Sequence, residues 1–557
     1  MIKFPLTPLV SLLPLLLVLL VFFFHPTIFY YSSQTPKELH VYSHVQLARS
    51  PCQGTLYPDL CFSTVAAFPE LRRKTLPEII AGTVNVTMKE VGSAASNCSS
   101  IRRKLMRKLE PLELRALDDC LELFTDTVDE LKKILTDLSA SSSPEKYYDD
   151  LLTLLSGAMT NQYTCLDGFA YSKNNTRRFI EGRLRRISRH VSNSLAMVKK
   201  LKRKSRKRTA AAAFGKTSGG FPAWLTRKER RLLQSPTNQT RFDLVVAKDG
   251  SGNFRTINEA LSAAPNNSNR RFVIYIKSGA YYEYLEVERK KTMLMLVGDG
   301  IGKTLIKGNR SVVDGWTTFR SATVAVVANN FIAKGITFEN FAGPSKHQAV
   351  ALRSGGDFSA FYQCSFVAYQ DTLYTHSLRQ FYRDCDVYGT IDFIFGNAAV
   401  VLQGCNLYAR RPNPNQRNIF TAQGREDPNQ NTGISILNCK VAAAADLLPV
   451  LSQFRTYLGR PWKQYSRTVF MLSHMESVVD PKGWLEWDGD FALSTLYYGE
   501  YANRGPGSNT TARVQWPGYK RALNTTEANQ FSVGSFIQGS QWLPATGLPF
   551  YVNLTAS

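Results

Sequence analysis

Phe361-Tyr-Gln-Cys364-Ser-Phe366, Phe381-Tyr-Arg-Asp-Cys385-Asp-Val387 and Val401-Leu-Gln-Gly-Cys405-Asn-Leu407 repeat one pattern: an apolar run, a cysteine, then a return to apolar residues. The repeats lie about 20 residues apart, and Phe331 to Phe338 and Ile436 to Val441 echo them more weakly. One apolar strand per short repeat is what the stacked coils of a parallel β-helix require, because each coil buries its inward side chains only against its neighbours. Cysteines in matching positions then stack, so Cys385 and Cys405 are the expected disulfide and Cys364 and Cys439 the expected buried thiols.

Outward from this repeat, the chain keeps a strand texture from Phe242 onward. Phe272-Val-Ile-Tyr-Ile276, Met293-Leu-Met-Leu-Val297 and Thr323-Val-Ala-Val-Val327 are short β-type runs broken by Gly and Asn. A β-sandwich is the structural rival, but it needs hairpin turns of the Asn-Gly kind, which do not occur between these runs.

The amino-terminal half has another period. Leu117, Leu121, Phe124, Val128, Leu131, Leu135 and Leu138 advance by alternating steps of four and three, which marks a helical stripe. Further helical segments, Tyr147 to Phe169 and Phe179 to Leu201, predict an antiparallel bundle. Cys52 and Cys61 could staple a local hairpin, Cys120 and Cys165 could bridge two helices, and Cys98 is left over.

Composition is that of globular protein, 44% hydrophobic and 20% charged, except for a formal net charge of +24. Between Lys199 and Arg231 stand thirteen Lys or Arg against the single acid Glu229. Aromatic residues do not alternate with these charges as base stacking would favour, so the run reads as a protease-sensitive linker and no nucleic-acid partner is expected. From Phe4 to Phe24 there is no charge, and no small-x-small cleavage site follows, which favours a signal anchor over a cleaved signal peptide. Nine sequons, at Asn85, Asn97, Asn174, Asn238, Asn266, Asn309, Asn509, Asn524 and Asn553, fit the secretory route.

The common hydrolase signatures Gly-x-Ser-x-Gly, His-Glu-x-x-His and Cys-x-x-Cys are missing, and His347, His376 and His474 are the only histidines after the linker. What stands out are polar groups set in apolar strand text: Gln348-Ala-Val-Ala-Leu352, Gln370-Asp371-Thr-Leu-Tyr374 and Asp392-Phe-Ile-Phe-Gly-Asn397. Burying them is costly unless they pair. Asp371 and Asp392 are about one coil apart, so a β-helix points both into one groove. Two adjoining carboxyls split their pKa values and give an acid and a nucleophile at one pH; the plainer use of each aspartate is to cap a turn or pair with a base.

Gly279-Ala-Tyr-Tyr-Glu283, Gln348-Ala-Val-Ala351, Gln370-Asp-Thr-Leu-Tyr374, Asp392-Phe-Ile-Phe-Gly-Asn397 and Leu458-Gly-Arg-Pro-Trp462 together resemble, in order, the five signature blocks of plant pectin methylesterases. The segment from about Pro51 to Leu201 is similar to the inhibitor domain that precedes many of these enzymes. The resemblance implies a precursor with a signal segment at 1–31, a helical inhibitor-like pro-domain at 45–201, a basic linker at 202–233, and a right-handed parallel β-helix at 234–557. It pairs Cys52 with Cys61 and Cys120 with Cys165, and makes Arg230-Arg231-Leu232-Leu233 the processing motif.

By the same resemblance Asp392 is the nucleophile, Asp371 the proton donor and acceptor, and Gln348 and Gln370 the oxyanion amides. Arg460 orients the nucleophile and binds substrate, with Thr323, Gln348, Trp462 and Trp484 as further substrate contacts. The expected reaction hydrolyses methyl esters of pectin through an aspartyl acyl-enzyme, with no metal and no cofactor. Expected partners are methyl-esterified pectin, a proteinaceous inhibitor and a processing protease. The membrane contact is transient, with the cell wall as destination and Golgi retention of the precursor on the way. Cys98 and the Lys202 to Arg208 cluster depart from the family pattern and leave the processing site open. The rival readings are a β-helix lyase or glycosidase, which also uses two carboxylates, and a non-enzymatic wall-binding protein.

Overall fold

The computed structural model describes residues 36–139, 144–172, 175–201 and 242–554. The expected signal segment, the basic linker and its processing motif lie outside the described residues. Among the described residues no helix is long and apolar enough to cross a membrane.

Six helices build the first half: α1 (Pro36–Cys52), α2 (Pro58–Ala66), α3 (Leu76–Leu105), α4 (Pro111–Ser139), α5 (Tyr148–Asp167) and α6 (Arg178–Val198). The predicted stripe is the core face of α4, where Leu117, Phe124, Leu131 and Leu138 are buried. Sequence periodicity does not single out α3, because its buried positions include Thr83, Thr87, Ala94 and Cys98 beside Ile79, Ile80, Val84 and Val91, and the apolar stripe is diluted. A capping box fixes its start, with Thr75 and Glu78 satisfying each other's main-chain neighbours. Disulfides join Cys52 to Cys61 and, across α4 and α5, Cys120 to Cys165. Cys98 is a buried thiol.

From Leu244 the chain winds into three sheets of eleven, seven and eight strands, every described pairing within them parallel, which is the parallel β-helix. The repeat is the coil. Phe361 pairs with Tyr382 and stacks on it at 4.7 Å, and Phe366 stacks on Phe338 at 5.5 Å, so like side chains form ladders along the interior. Ser365 pairs with Asp386, Asp386 with Asn406 and Asn406 with Lys440, which brings the residues just before them, Cys364, Cys385, Cys405 and Cys439, to one corner of successive coils.

This register corrects the bridge expected between Cys385 and Cys405: all four cysteines are buried thiols. Their side chains point inward in parallel, and each thiol finds a main-chain acceptor instead. Cys385 Sγ lies 3.3 Å from the carbonyl of Arg383, and Cys405 Sγ 3.6 Å from that of Tyr382.

The seven-stranded sheet forms the floor of the groove. Its strands, in order both along the chain and across the sheet, are β1 (Leu285–Val287), β2 (Val324–Val326), β3 (Leu352–Ser354), β4 (Leu373–Thr375), β5 (Ile394–Gly396), β6 (Asn418–Gln423) and β7 (Thr456–Gly459). The helical bundle sits on this sheet, and its core continues into Phe319, Val350, Tyr374 and Phe395 without a break. On another side the largest sheet is covered by the carboxyl-terminal segment, through Phe531, Val533, Phe536 and Trp542.

Candidate active site

Asp371 stands just before β4 and Asp392 just before β5, one coil apart, and the Asp371 N–H donates to Ile391 O at 3.0 Å. Both have left-handed backbones, φ 64° and 50°, a conformation that costs a non-glycine residue on the order of 1 kcal/mol and that recurs where structure serves chemistry. Each turns a carboxyl out of the strand ladder toward the groove.

Arg460, just after β7, closes on Asp392 with two parallel hydrogen bonds, Nε to Oδ1 at 2.8 Å and Nη2 to Oδ2 at 2.6 Å. Burial pushes the Arg460 guanidinium down, but the charge and hydrogen bonds of Asp392, together with the charge of Asp371, raise it on balance. Asp371 has no such partner. Burial first, and then the charge of Asp392, push its carboxyl well above the usual range, against a smaller opposing effect of Arg460. The site thus holds one carboxyl pushed toward its protonated form beside one held in a two-point ion pair, an arrangement suited to protonating a leaving group and to attacking a carbonyl.

Gln348 and Gln370 precede β3 and β4 and are linked by the main chain, with Ala349 N–H donating to Gln370 O at 3.2 Å. Both side chains are part-exposed, and Gln348 Nε2 donates to the hydroxyl of Tyr171, in the turn after α5, at 2.5 Å.

Two expected substrate contacts are placed elsewhere. Thr323 is fully buried with its hydroxyl donated to Glu339 O at 3.0 Å, so it does not reach the groove surface. Trp484 is 1% exposed, stacked on Tyr498 at 4.2 Å with Nε1 donated to Glu500, and belongs to the core. Trp462 does lie in the groove, edge-on to Phe395 at 6.0 Å, beside a small cleft shared with Thr160, Thr164 and Asp167 of α5. His376 is buried, hydrogen-bonded to Thr164 Oγ1 at 2.9 Å, and pushed down to about 3, first by burial and then by Arg353 and Arg289; it is a neutral packing histidine.

Sequence reasoning missed Trp487. Its ring backs Arg460, with the guanidinium carbon 4.3 Å from the ring centroid, and remains 36% exposed. It lies outside regular structure, where no periodicity reports facing; its one signal is a second tryptophan three residues after Trp484.

Sequence reasoning also missed a second face on each of two helices. On α4, the acidic residues Asp119, Asp126 and Glu130 are buried. Asp119 accepts from Thr317 at 2.5 Å and from Arg320 at 2.6 Å, and Asp126 pairs with Arg289 at 2.7 Å. On α5 the stripe is of small and polar residues: Gly157 fits against Leu378, Thr160 accepts from Asn397 at 2.8 Å, and Asp167 pairs with Lys463 at 3.0 Å. The two helices lie along the groove and cover it.

A carboxyl pair with flanking amides, set in a groove across a parallel β-helix, suits a hydrolase that uses neither serine nor histidine. Residues 243–540 match the family model described as Pectinesterase, and residues 46–197 that described as Plant invertase/pectin methylesterase inhibitor. The chain is 51% identical over 485 residues to "Probable pectinesterase/pectinesterase inhibitor 39" of Arabidopsis thaliana, covering 86% of this chain and 90% of the relative. It is 49% identical over 526 residues to "Pectinesterase 3" of Citrus sinensis, with 92% and 89% covered. Among solved structures, "Pectin methylesterase from Carrot" matches with 56% identity and a TM-score of 0.56, over 56% of this chain and 98% of that chain. The chain belongs to the pectinesterase family: it is a carboxylic ester hydrolase built as a right-handed parallel β-helix behind an inhibitor-like helical domain. The carrot match spans nearly a whole chain with little more than half of this one, so a β-helix of this kind stands alone, consistent with its own interior core.

Trp487→Ala is expected to lower kcat on methyl-esterified pectin by about 10-fold with little change in KM, because the ring holds Arg460 flat against Asp392. Trp487→Phe keeps a ring face and should recover most of the rate. Equal losses in both variants would remove the ring from this role.

Proposed function

We propose that the β-helix demethylates pectin through a covalent intermediate on Asp392. The carboxylate of Asp392 attacks the ester carbonyl, and the amides of Gln348 and Gln370 donate to the oxygen of the tetrahedral intermediate. Asp371 gives its proton to the departing methoxide, which leaves as methanol, and a mixed anhydride remains. Asp371, now a carboxylate, takes a proton from water; the hydroxide formed splits the anhydride, releases the free galacturonate and restores Asp392. The observation that carries this reading is the buried Asp371, its carboxyl pushed upward, beside the Arg460-clamped Asp392 on adjoining coils. It needs no histidine or serine, in keeping with the retired His376.

The helical domain restrains this site before processing. It lies along the groove, and the Tyr171 hydroxyl occupies the amide donor of Gln348 that the oxyanion would use. Cleavage at Arg230-Arg231-Leu232-Leu233 would free the groove, and the secretory route would deliver the enzyme to the cell wall.

The test is methanol release from highly methylated pectin by residues 234–557. Methanol without shortening of the polymer supports the esterase; shortening without methanol would move the lyase or glycosidase reading to the front.

A further inference from the structure

Arg310 takes no part in the hydrolysis just described. Its guanidinium is stacked between two rings, 3.7 Å from the centroid of Tyr284 and 3.9 Å from that of Trp316. Stacking uses the faces of the cation and leaves its in-plane N–H donors; among the described residues none of them meets an acceptor or an acid. Burial pushes its guanidinium below the usual range, against Tyr284, with nearby Arg115 and Arg320 adding to the fall. Trp316 is flanked again by Arg115 of α4, whose guanidinium lies 4.2 Å from the ring centroid and donates to Gly315 O. Two cations thus share one indole, and the acid of this loop, Asp314, is already engaged by Ser311 at 2.7 Å and by Lys346.

The loop is fixed to the groove. Asn340 Nδ2 donates to the carbonyls of Arg310 at 2.9 Å and Val350 at 3.1 Å, and Val312 N–H donates to Gln348 O at 3.0 Å. The stack therefore flanks the amide end of the reaction centre.

We propose that Arg310 and Trp316 form a subsite for a galacturonate residue with a free carboxylate, closed in the full chain by Arg115. The edge of Arg310 would take the carboxylate through two N–H donors. With the helical domain gone, the indole face left by Arg115 would take the apolar face of the sugar ring, and Gly315 O, released from Arg115, would accept from a sugar hydroxyl. A methyl ester in this place would forfeit the ion pair, so the subsite selects product over substrate and favours ester removal next to units already demethylated. The inference rests on pectin being the polymer in the groove.

In residues 234–557, Arg310→Gln is expected to raise the Kd for fully de-esterified oligogalacturonate, measured by calorimetry, by about 10-fold. On fully methylated oligomers kcat should stay within about twofold, and Arg310→Lys, which keeps the charge, should fall between. An unchanged Kd, or equal losses for methylated and de-esterified oligomers, would overturn the subsite. Thermal unfolding reports on folding; should Arg310→Gln unfold, Trp316→Leu tests the same subsite with the same expected loss of oligogalacturonate binding. A wild type that binds oligogalacturonate through Arg310 but releases no methanol would retain the subsite and refute the esterase mechanism alone.

Discussion

Asp392→Asn in residues 234–557 is expected to lower kcat for methanol release by about 1,000-fold or more, because an amide oxygen cannot replace a carboxylate as nucleophile. The substitution keeps the volume of the side chain but leaves Arg460, which is part-buried, beside a neutral partner, so a loss of stability of about 2 kcal/mol is expected with it. Thermal unfolding must therefore accompany the kinetics: a folded, inactive variant supports the role, and a folded variant with near wild-type rate sinks it. Asp371→Asn removes a carboxyl that burial pushes toward its protonated form, and its expected loss is smaller, about 100-fold or more, with little change in stability.

Blocking the proposed processing motif with Arg230→Ala and Arg231→Ala is expected to leave a full chain whose esterase activity is at least about 100-fold below that of residues 234–557, because a closed groove admits only the fraction of molecules whose helices have lifted. Cutting that chain in the linker should restore activity once the bundle dissociates. The contact is also pH-dependent, with a sign that follows from its buried acids. Burial raises Glu130 from 4.5 to about 8, against Arg289 and with Asp126 adding to the rise. Asp119 rises from 3.8 to about 6, again first through burial and against Arg320. Groups whose pKa is higher in the docked state take up protons on docking, so docking is favoured at acidic pH and weakens as pH climbs from the ordinary carboxylate range toward about 8. Binding of the cleaved bundle, followed by calorimetry, should tighten from pH 8 to pH 5; the reverse trend would show that the ion pairs at Arg320, Arg289 and Lys463 outweigh these acids.

Local pattern carried much of this architecture, since the groups that define it repeat at fixed intervals. The cysteine-centred repeat reports the coil because every coil buries the same corner, and the Leu117 to Leu138 stripe reports α4 because helical faces recur every three or four residues. Asp371, Asp392, Gln348 and Gln370 were legible as polar residues interrupting apolar strands, and Arg460 through its signature block. Facing was not legible. Nothing in sequence separates Trp462, which lines the groove, from Trp484, which fills the core, because a tryptophan satisfies either place and only the path of the chain between them decides. Thr323 goes inward and Trp487 comes forward for the same reason. The thiols of Cys385 and Cys405 share a corner yet stay free, each within reach of a main-chain carbonyl, a choice between bridge and thiol that spacing does not report.

By itself the sequence determined the two architectures, the carboxyl pair and the amides, since each follows from periodicity or from polar residues that only pairing can bury. Tertiary structure alone decided the protonation asymmetry, which needs Arg460 delivered from 68 residues away to one aspartate and not the other. It alone decided that Asp119 and Asp126, which look like an ordinary solvated face, close on the groove, because burial of an acid depends on a partner surface that no local stretch of chain describes.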